Sequence, residues 1–83
     1  MPRYYFDLRD EDEVAVDEEG LELSSLRAVQ IGAAKSLADL ARDALHSSFI
    51  VPGIRHMAVD VRDRSGPVMH VKCTLDFGIS RHD

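Results

Sequence analysis

A single cysteine, Cys73, is the whole thiol content of this 83-residue chain, which excludes an internal disulfide framework and any multi-cysteine zinc site within one chain. Long apolar runs are missing as well. No stretch approaches the ~20 residues that span a bilayer, and there is no signal-peptide core. Cations are scarce: 10 Lys and Arg stand against 15 Asp and Glu, a formal net charge of -5. Neutralising nucleic-acid phosphates needs clustered Lys and Arg, so nucleic acid is not expected as a partner. The chain also lacks a glycine-rich phosphate loop, a nucleophile elbow and a zinc-binding histidine pair on a helix. These absences set the expectation of a cytoplasmic protein with no membrane span, no nucleic-acid partner and no cofactor.

What the chain does have is one amphipathic stretch between two pairs of alternating segments. From Arg3 to Arg9 aromatic and apolar residues alternate with polar ones, putting Tyr4, Phe6 and Leu8 on one face of a strand. Asp10 to Glu13 reads as an acidic turn and Val14 to Asp17 as the returning strand, with Val14 and Val16 opposing Leu8 and Phe6. Asp17, Glu18, Glu19 and Gly20 then break the strand. A helix over roughly Leu26 to His46 follows, N-capped by Ser25, with Ser24 as the alternative, and with Leu26, Val29, Ala33, Leu37, Leu40, Ala41 and Ala44 in one apolar arc. Gln30 falls inside that arc. Ile31 falls outside it, on a flank shared with Ala34, Ala38 and Leu45, and Gly32 sits mid-helix, where it costs about 1 kcal/mol relative to alanine.

Ser47 to Ile54 holds Pro52 and Gly53 and reads as a connection, unusually apolar through Phe49, Ile50, Val51 and Ile54, which suits a plug over one end of the core, with a binding loop as the alternative. Arg55 to Arg62 alternates again, with Met57, Val59 and Val61 inward. Met69 to Phe77 repeats the pattern with Met69, Val71, Cys73, Leu75 and Phe77 inward. Asp63 to Gly66 joins them as a three-residue hairpin loop, and pairing Asp63 with Pro67 keeps inward residues facing inward residues. The whole is one α+β domain over residues 1–83, a two-layer ββαββ with a four-stranded antiparallel sheet and one helix on one face. Strand order is not readable from this pattern.

A chain this small buries only about 60% of the surface its unfolded form exposes, so its core is marginal and a homo-oligomer, simplest as a dimer, is expected.

No residue is assigned a catalytic, cofactor-binding or metal-binding role. The acidic tip Asp10 to Glu13 lacks the glycine and distant glutamate of a calcium loop and reads as a solvated turn. Of His46, His56, His70 and His82, the strand histidines are kept apart by the hairpin register: His70 falls opposite Asp60, its expected cross-strand partner, and His56 opposite Thr74. Cys73 is placed inward as a small hydrophobe rather than a nucleophile. Ser24, Ser25, Ser47 and Ser48 sit at element ends, where capping accounts for them.

The opening Met1-Pro2-Arg3-Tyr4-Tyr5-Phe6, the Asp17-Glu18-Glu19-Gly20 motif, the alanine-rich helix and Ala58-Val59-Asp60-Val61-Arg62-Asp63 resemble a family of short bacterial proteins that is a domain of unknown function. Members carry glycines at the first turn where this chain has Glu11 and Glu13. The resemblance implies the same fold and a bacterial setting and brings no activity or site residues. At the level of topology alone, the chain is also similar to the partial RNase H-like modules of small antitoxins. Three functions compete: a non-enzymatic module that self-associates, an antitoxin-like or adaptor protein meeting a basic protein partner with its acidic hairpin, and, least supported, a small metal-dependent enzyme using the acids or His56 and His70.

Overall fold

The alternation at the start of the chain forms strand β1 (Arg3–Asp10), in which Tyr4 and Phe6 are buried and Leu8 packs at the margin of the core. The computed structural model describes residues 1–47 and 53–81. After β1 come β2 (Glu13–Ala15), β3 (Leu21–Glu22), helix α1 (Leu26–Ser47), β4 (Gly53–Asp63) and β5 (Gly66–Phe77). All pairings are antiparallel, in the order β2-β1-β4-β5, with β3 also on β1. The two hairpins therefore meet through β1 and β4, and α1 lies mainly over β4 with β1 and β5 at its sides. This is the expected α+β arrangement of one helix on one face of an antiparallel sheet, with β3 as an added short strand.

Ser25 caps α1 as expected: its hydroxyl accepts from the Ala28 N–H at 3.1 Å and its carbonyl accepts from Val29 N–H at 3.1 Å. Val29, Ala33, Leu37 and Ala44 are buried against Tyr4, Phe6, Met57, Val59 and Val61. Leu26 and Gln30 are exposed instead of buried with the rest of the predicted arc, bordering a depression beside Val68 and Met69. Gly32 answers to the ring of Phe6: a β-carbon there would meet Phe6 Cε2 and Cζ at 3.4 Å, the edge of ordinary contact. A single methyl fits, and alanine is the better helix former. We expect Gly32→Ala to raise unfolding stability by about 0.5–1 kcal/mol in urea titrations, and Gly32→Leu to lower it by overpacking.

The first hairpin departs from expectation by one residue. Leu8 pairs with Ala15 and Arg9 with Val14, so Val14 and Val16 do not face the core; both are exposed. The turn is Glu11-Asp12, closed by Asp10 opposite Glu13, and Glu11 takes φ 53°. Two bonds to β4 fix it there: Glu11 N–H donates to the His56 carbonyl at 2.9 Å, and its Oε1 accepts from His56 N–H at 2.8 Å. That tertiary anchor overrides the valine pattern, and a one-residue slip turns every side chain to the other face. The returning strand accordingly stops at Ala15, which frees Asp17 for another role.

In the second hairpin the register is as expected through most of its length, with His56 opposite Thr74, Asp60 opposite His70 and Val61 opposite Met69. Its end differs. Asp63 pairs with Gly66 across a two-residue turn, Arg62 with Pro67, and Val68 is the extra residue of a bulge. Asp63 Oδ1 accepts from Ser65 N–H at 2.8 Å, which holds the tight turn, and the bulge restores the face-to-face match below it. Gly53 and Ile54 begin β4 instead of belonging to the connection; Phe49, Ile50 and Val51 of the expected plug lie outside the described residues.

Candidate functional site

The face of the sheet away from α1 carries charge in register. Asp7 stands directly opposite Asp60, a like-charge pair that an arginine on each diagonal neutralises. Arg9 grips Asp60 with two bonds, at 3.1 and 3.2 Å, and Arg62 holds Asp7 at 2.9 Å while its Cζ lies 4.5 Å from the centre of the Tyr5 ring. Hydrogen bonding to Asp7, opposed by partial burial, holds the Arg62 guanidinium above its ordinary pKa. On the helix side the same chemistry joins Arg55 to Asp10 at 2.6 and 3.0 Å, and the Asp10 carboxyl is held below its ordinary pKa by the bond to Arg55. These cations and acids are paired with one another.

His56 Nδ1 lies 3.3 Å from the Thr74 hydroxyl, and His70 shares a row with Asp60 although the Asp60 carboxylate is turned to Arg9. His46 is in the last turn of α1, and His82 lies outside the described residues. Among the described residues no three His, Cys, Asp or Glu side chains are grouped as a metal site requires. Two shallow depressions mark this face. One, of about 180 Å³, is floored by Ala58 between Arg9 and Lys72; the other, of about 350 Å³, is lined by Asp7, Asp60, Arg62 and His70. The first is below the ~300 Å³ usual for a small-molecule site. In the second, the carboxylates of Asp7 and Asp60 are already paired, with Arg62 and Arg9, and Pro67, Val68 and Met69 add to the lining.

Asp17 is the residue that sequence reasoning missed. Its Oδ2 accepts from the Phe6 N–H at 3.0 Å, its Oδ1 accepts from Glu19 and Gly20 N–H at 3.1 Å each, its own N–H donates to Asp7 Oδ1 at 2.9 Å, and its carbonyl accepts from Arg62 at 2.9 Å. Beyond it, Gly20 at φ 71° returns the chain to β1, where Leu21 pairs with Tyr4 and Glu22 with Arg3. The signal for this was present: an aspartate followed three residues later by glycine is an Asx-turn pattern.

The consequence is an asymmetry between the two sides of the sheet. On one side β1 is sealed along its length, by β2 against Leu8 to Asp10, by β3 against Arg3 and Tyr4, and by the Asp17 carboxylate at Phe6 between them. The strands exposed outside it are two and three residues long, too short to template another chain. On the other side β5 runs for 12 residues and, among the described residues, pairs with β4 alone. Its helix-side row, Met69, Val71, Cys73, Leu75 and Phe77, is half-buried rather than covered.

Helix α1 continues that apolar side. Leu26, Arg27 and Gln30 border a depression with Val68 and Met69 of β5, whereas Ser36, Leu40 and Asp43 border one with Phe6, Leu8 and Leu21. At about 100° per residue, Ala34, Ala38 and Leu45 therefore follow Gln30 on the β5 side, with Ile31 further round towards solvent. All four are exposed.

No helix among the described residues is long and apolar enough to cross a membrane. Neither the curated proteins nor the solved structures contain a match to this chain. A family model does match, over residues 3–74, which takes in the sealed β1, the Asp17 to Gly20 return, the whole helix and all of the second hairpin but Leu75 to Phe77. With that span covered, the chain belongs to the family described as a domain of unknown function, DUF6894.

Proposed function

We propose that this chain is a non-enzymatic interaction module that self-associates through the β5 side of its sheet. The observation that carries the reading is the contrast between a β1 side closed by β2, Asp17 and β3 and the 12-residue β5, whose outer edge no strand among the described residues pairs with. A long edge with a half-exposed apolar row is a template for another strand unless something covers it. The shape points the same way: the radius of gyration is 14.9 Å, against about 12 Å for a compact chain of this length. A body 55 Å long and 18 Å thick covers its core poorly, and pairing along its length is the direct way to improve that.

Light scattering across a concentration series tests the reading. The expected mass tends to twice the 9.3 kDa of one chain as concentration rises. Val71→Lys places a charge on the inward row, where its stem can lie along the apolar surface while its ammonium blocks a second strand. It should weaken association at least tenfold while far-UV dichroism shows the fold retained. A wild-type chain that stays monomeric throughout overturns the proposal.

A further inference from the structure

Resting on that reading, we infer that two copies pair β5 to β5 in an antiparallel register centred on Cys73, so that the two Cys73 thiols face each other across the two-fold axis. The limits of the usable edge fix the centre. At its start Pro67 has no N–H to offer and Val68 is the bulged residue, which bends the strand. At its end the strand stops at Phe77. The clean edge therefore runs from Met69 to Phe77, and its midpoint is Cys73.

This register matches both faces. On the helix side Met69 meets Phe77 of the second copy, Val71 meets Leu75 and Cys73 meets Cys73, joining the two half-buried rows. On the open face His70 meets Asp76 and Lys72 meets Thr74; each Lys72 has Asp76 of the other copy on one diagonal and Lys72 on the other, so two Lys–Asp attractions flank a single diagonal Lys–Lys contact at the axis. Centring on Lys72 instead sets two ammonium groups against each other, and centring on Val71 sets His70 against Lys72 and brings the bulge into the pairing. Centring on Thr74 pairs Lys72 with Asp76 but forfeits Met69, leaving a shorter apolar row. The product is one continuous sheet in the order β2-β1-β4-β5-β5-β4-β1-β2, whose outer strands are the short β2 pair.

Facing residues of antiparallel strands have Cα atoms about 4.5–5.5 Å apart, inside the roughly 4.4–6.8 Å that a disulfide bridges. Treating the full chain with diamide, which takes two electrons and two protons from the facing thiols and is reduced to the hydrazine as the S–S bond forms, should give a dimer on non-reducing gels. In a Cys73→Ala background, Val71→Cys and Thr74→Cys should give none, since their distances across the axis are about 14 and 8 Å. Asp76→Lys should weaken association about tenfold, as the pair recurs on both sides of the axis. A dimer by light scattering that cross-links at 71 or 74 instead of 73, fails to cross-link at 73, or is indifferent to Asp76→Lys overturns this register and leaves self-association standing. A chain that is monomeric at every concentration overturns both.

Discussion

Replacing Gly20 by alanine is expected to lower unfolding stability by about 3 kcal/mol, from the left-handed backbone cost of roughly 1–2 kcal/mol together with a steric clash of similar size. Gly20 has φ 71°, and a β-carbon there would lie 2.8 Å from the Tyr4 carbonyl oxygen and 3.0 Å from Arg3 Cγ and Tyr5 Cδ1. Arg3 and Tyr5 have side chains that can move; the Tyr4 carbonyl cannot, because Tyr4 is paired with Leu21 on one side of β1 and its side chain is in the core. For a domain of this length the loss amounts to a fall in melting temperature of about 15 °C. Glu19→Ala is the matched control. Glu19 contributes its carbonyl to Arg3 at 2.7 Å and its N–H to Asp17, and alanine keeps both, so its melting temperature should be near that of the wild type. A Gly20→Ala chain that melts with the wild type would mean that the return of the chain onto β1 is not held as described.

Much of the fold was legible because two periodicities name the buried face directly. Tyr4 and Phe6, Met57, Val59 and Val61 follow period two, Val29, Ala33 and Leu37 follow the helical period, and all are in the core. Where alternation had no core to answer to, it misled. Val14 and Val16 alternate correctly, but the turn before them is positioned by Glu11 on His56, a contact between residues 45 apart that no local pattern announces. The second hairpin read correctly as far as Met69 and then lost one residue at the Val68 bulge, which a pattern of inward residues cannot count.

The candidate interface was half legible for a related reason. The exposed flank of Ala34, Ala38 and Leu45 was visible as residues off the core arc, and so was the apolar row of β5. Which edge of the sheet stays open depends on strand order, and strand order is set by which hairpin strands meet, a fact held in the β1 to β4 pairing. Asp17 was legible in part: its turn bonds to Glu19 and Gly20 N–H follow an Asx-turn pattern, whereas its partners on other strands, the backbone N–H of Phe6 and the guanidinium of Arg62, have no sequence signature.

The second large effect belongs to Asp17 itself. Asp17→Ala removes the acceptor of the Phe6 N–H, which lies beside a buried side chain between β2 and β3, and the acceptor of both turn amides; leaving such donors without partners costs about 3 kcal/mol. Asp17→Asn should recover part of this, since its one carbonyl oxygen can serve either the turn or Phe6 while its amide group opposes the other. The carboxylate also sets a pH dependence whose sign follows from its surroundings. Burial raises the Asp17 pKa, but the amide donors of Phe6, Gly20 and Glu19, with the charge of Arg62, outweigh it and leave the group below its ordinary value. The folded chain then binds its proton less readily than the unfolded chain, whose aspartates titrate near about 3.9, so the stabilisation is complete above that pH and is lost as pH falls through the folded value. Asp10, lowered by Arg55, adds in the same direction. Urea titrations between pH 7 and pH 2 should therefore show stability declining below about pH 4, with a shallower decline in Asp17→Asn because one of the two linked carboxyls is gone. A variant whose curve runs parallel to the wild type across that range would show that the Asp17 charge is not what closes β1, and the asymmetry from which the open β5 edge was argued would then need another cause.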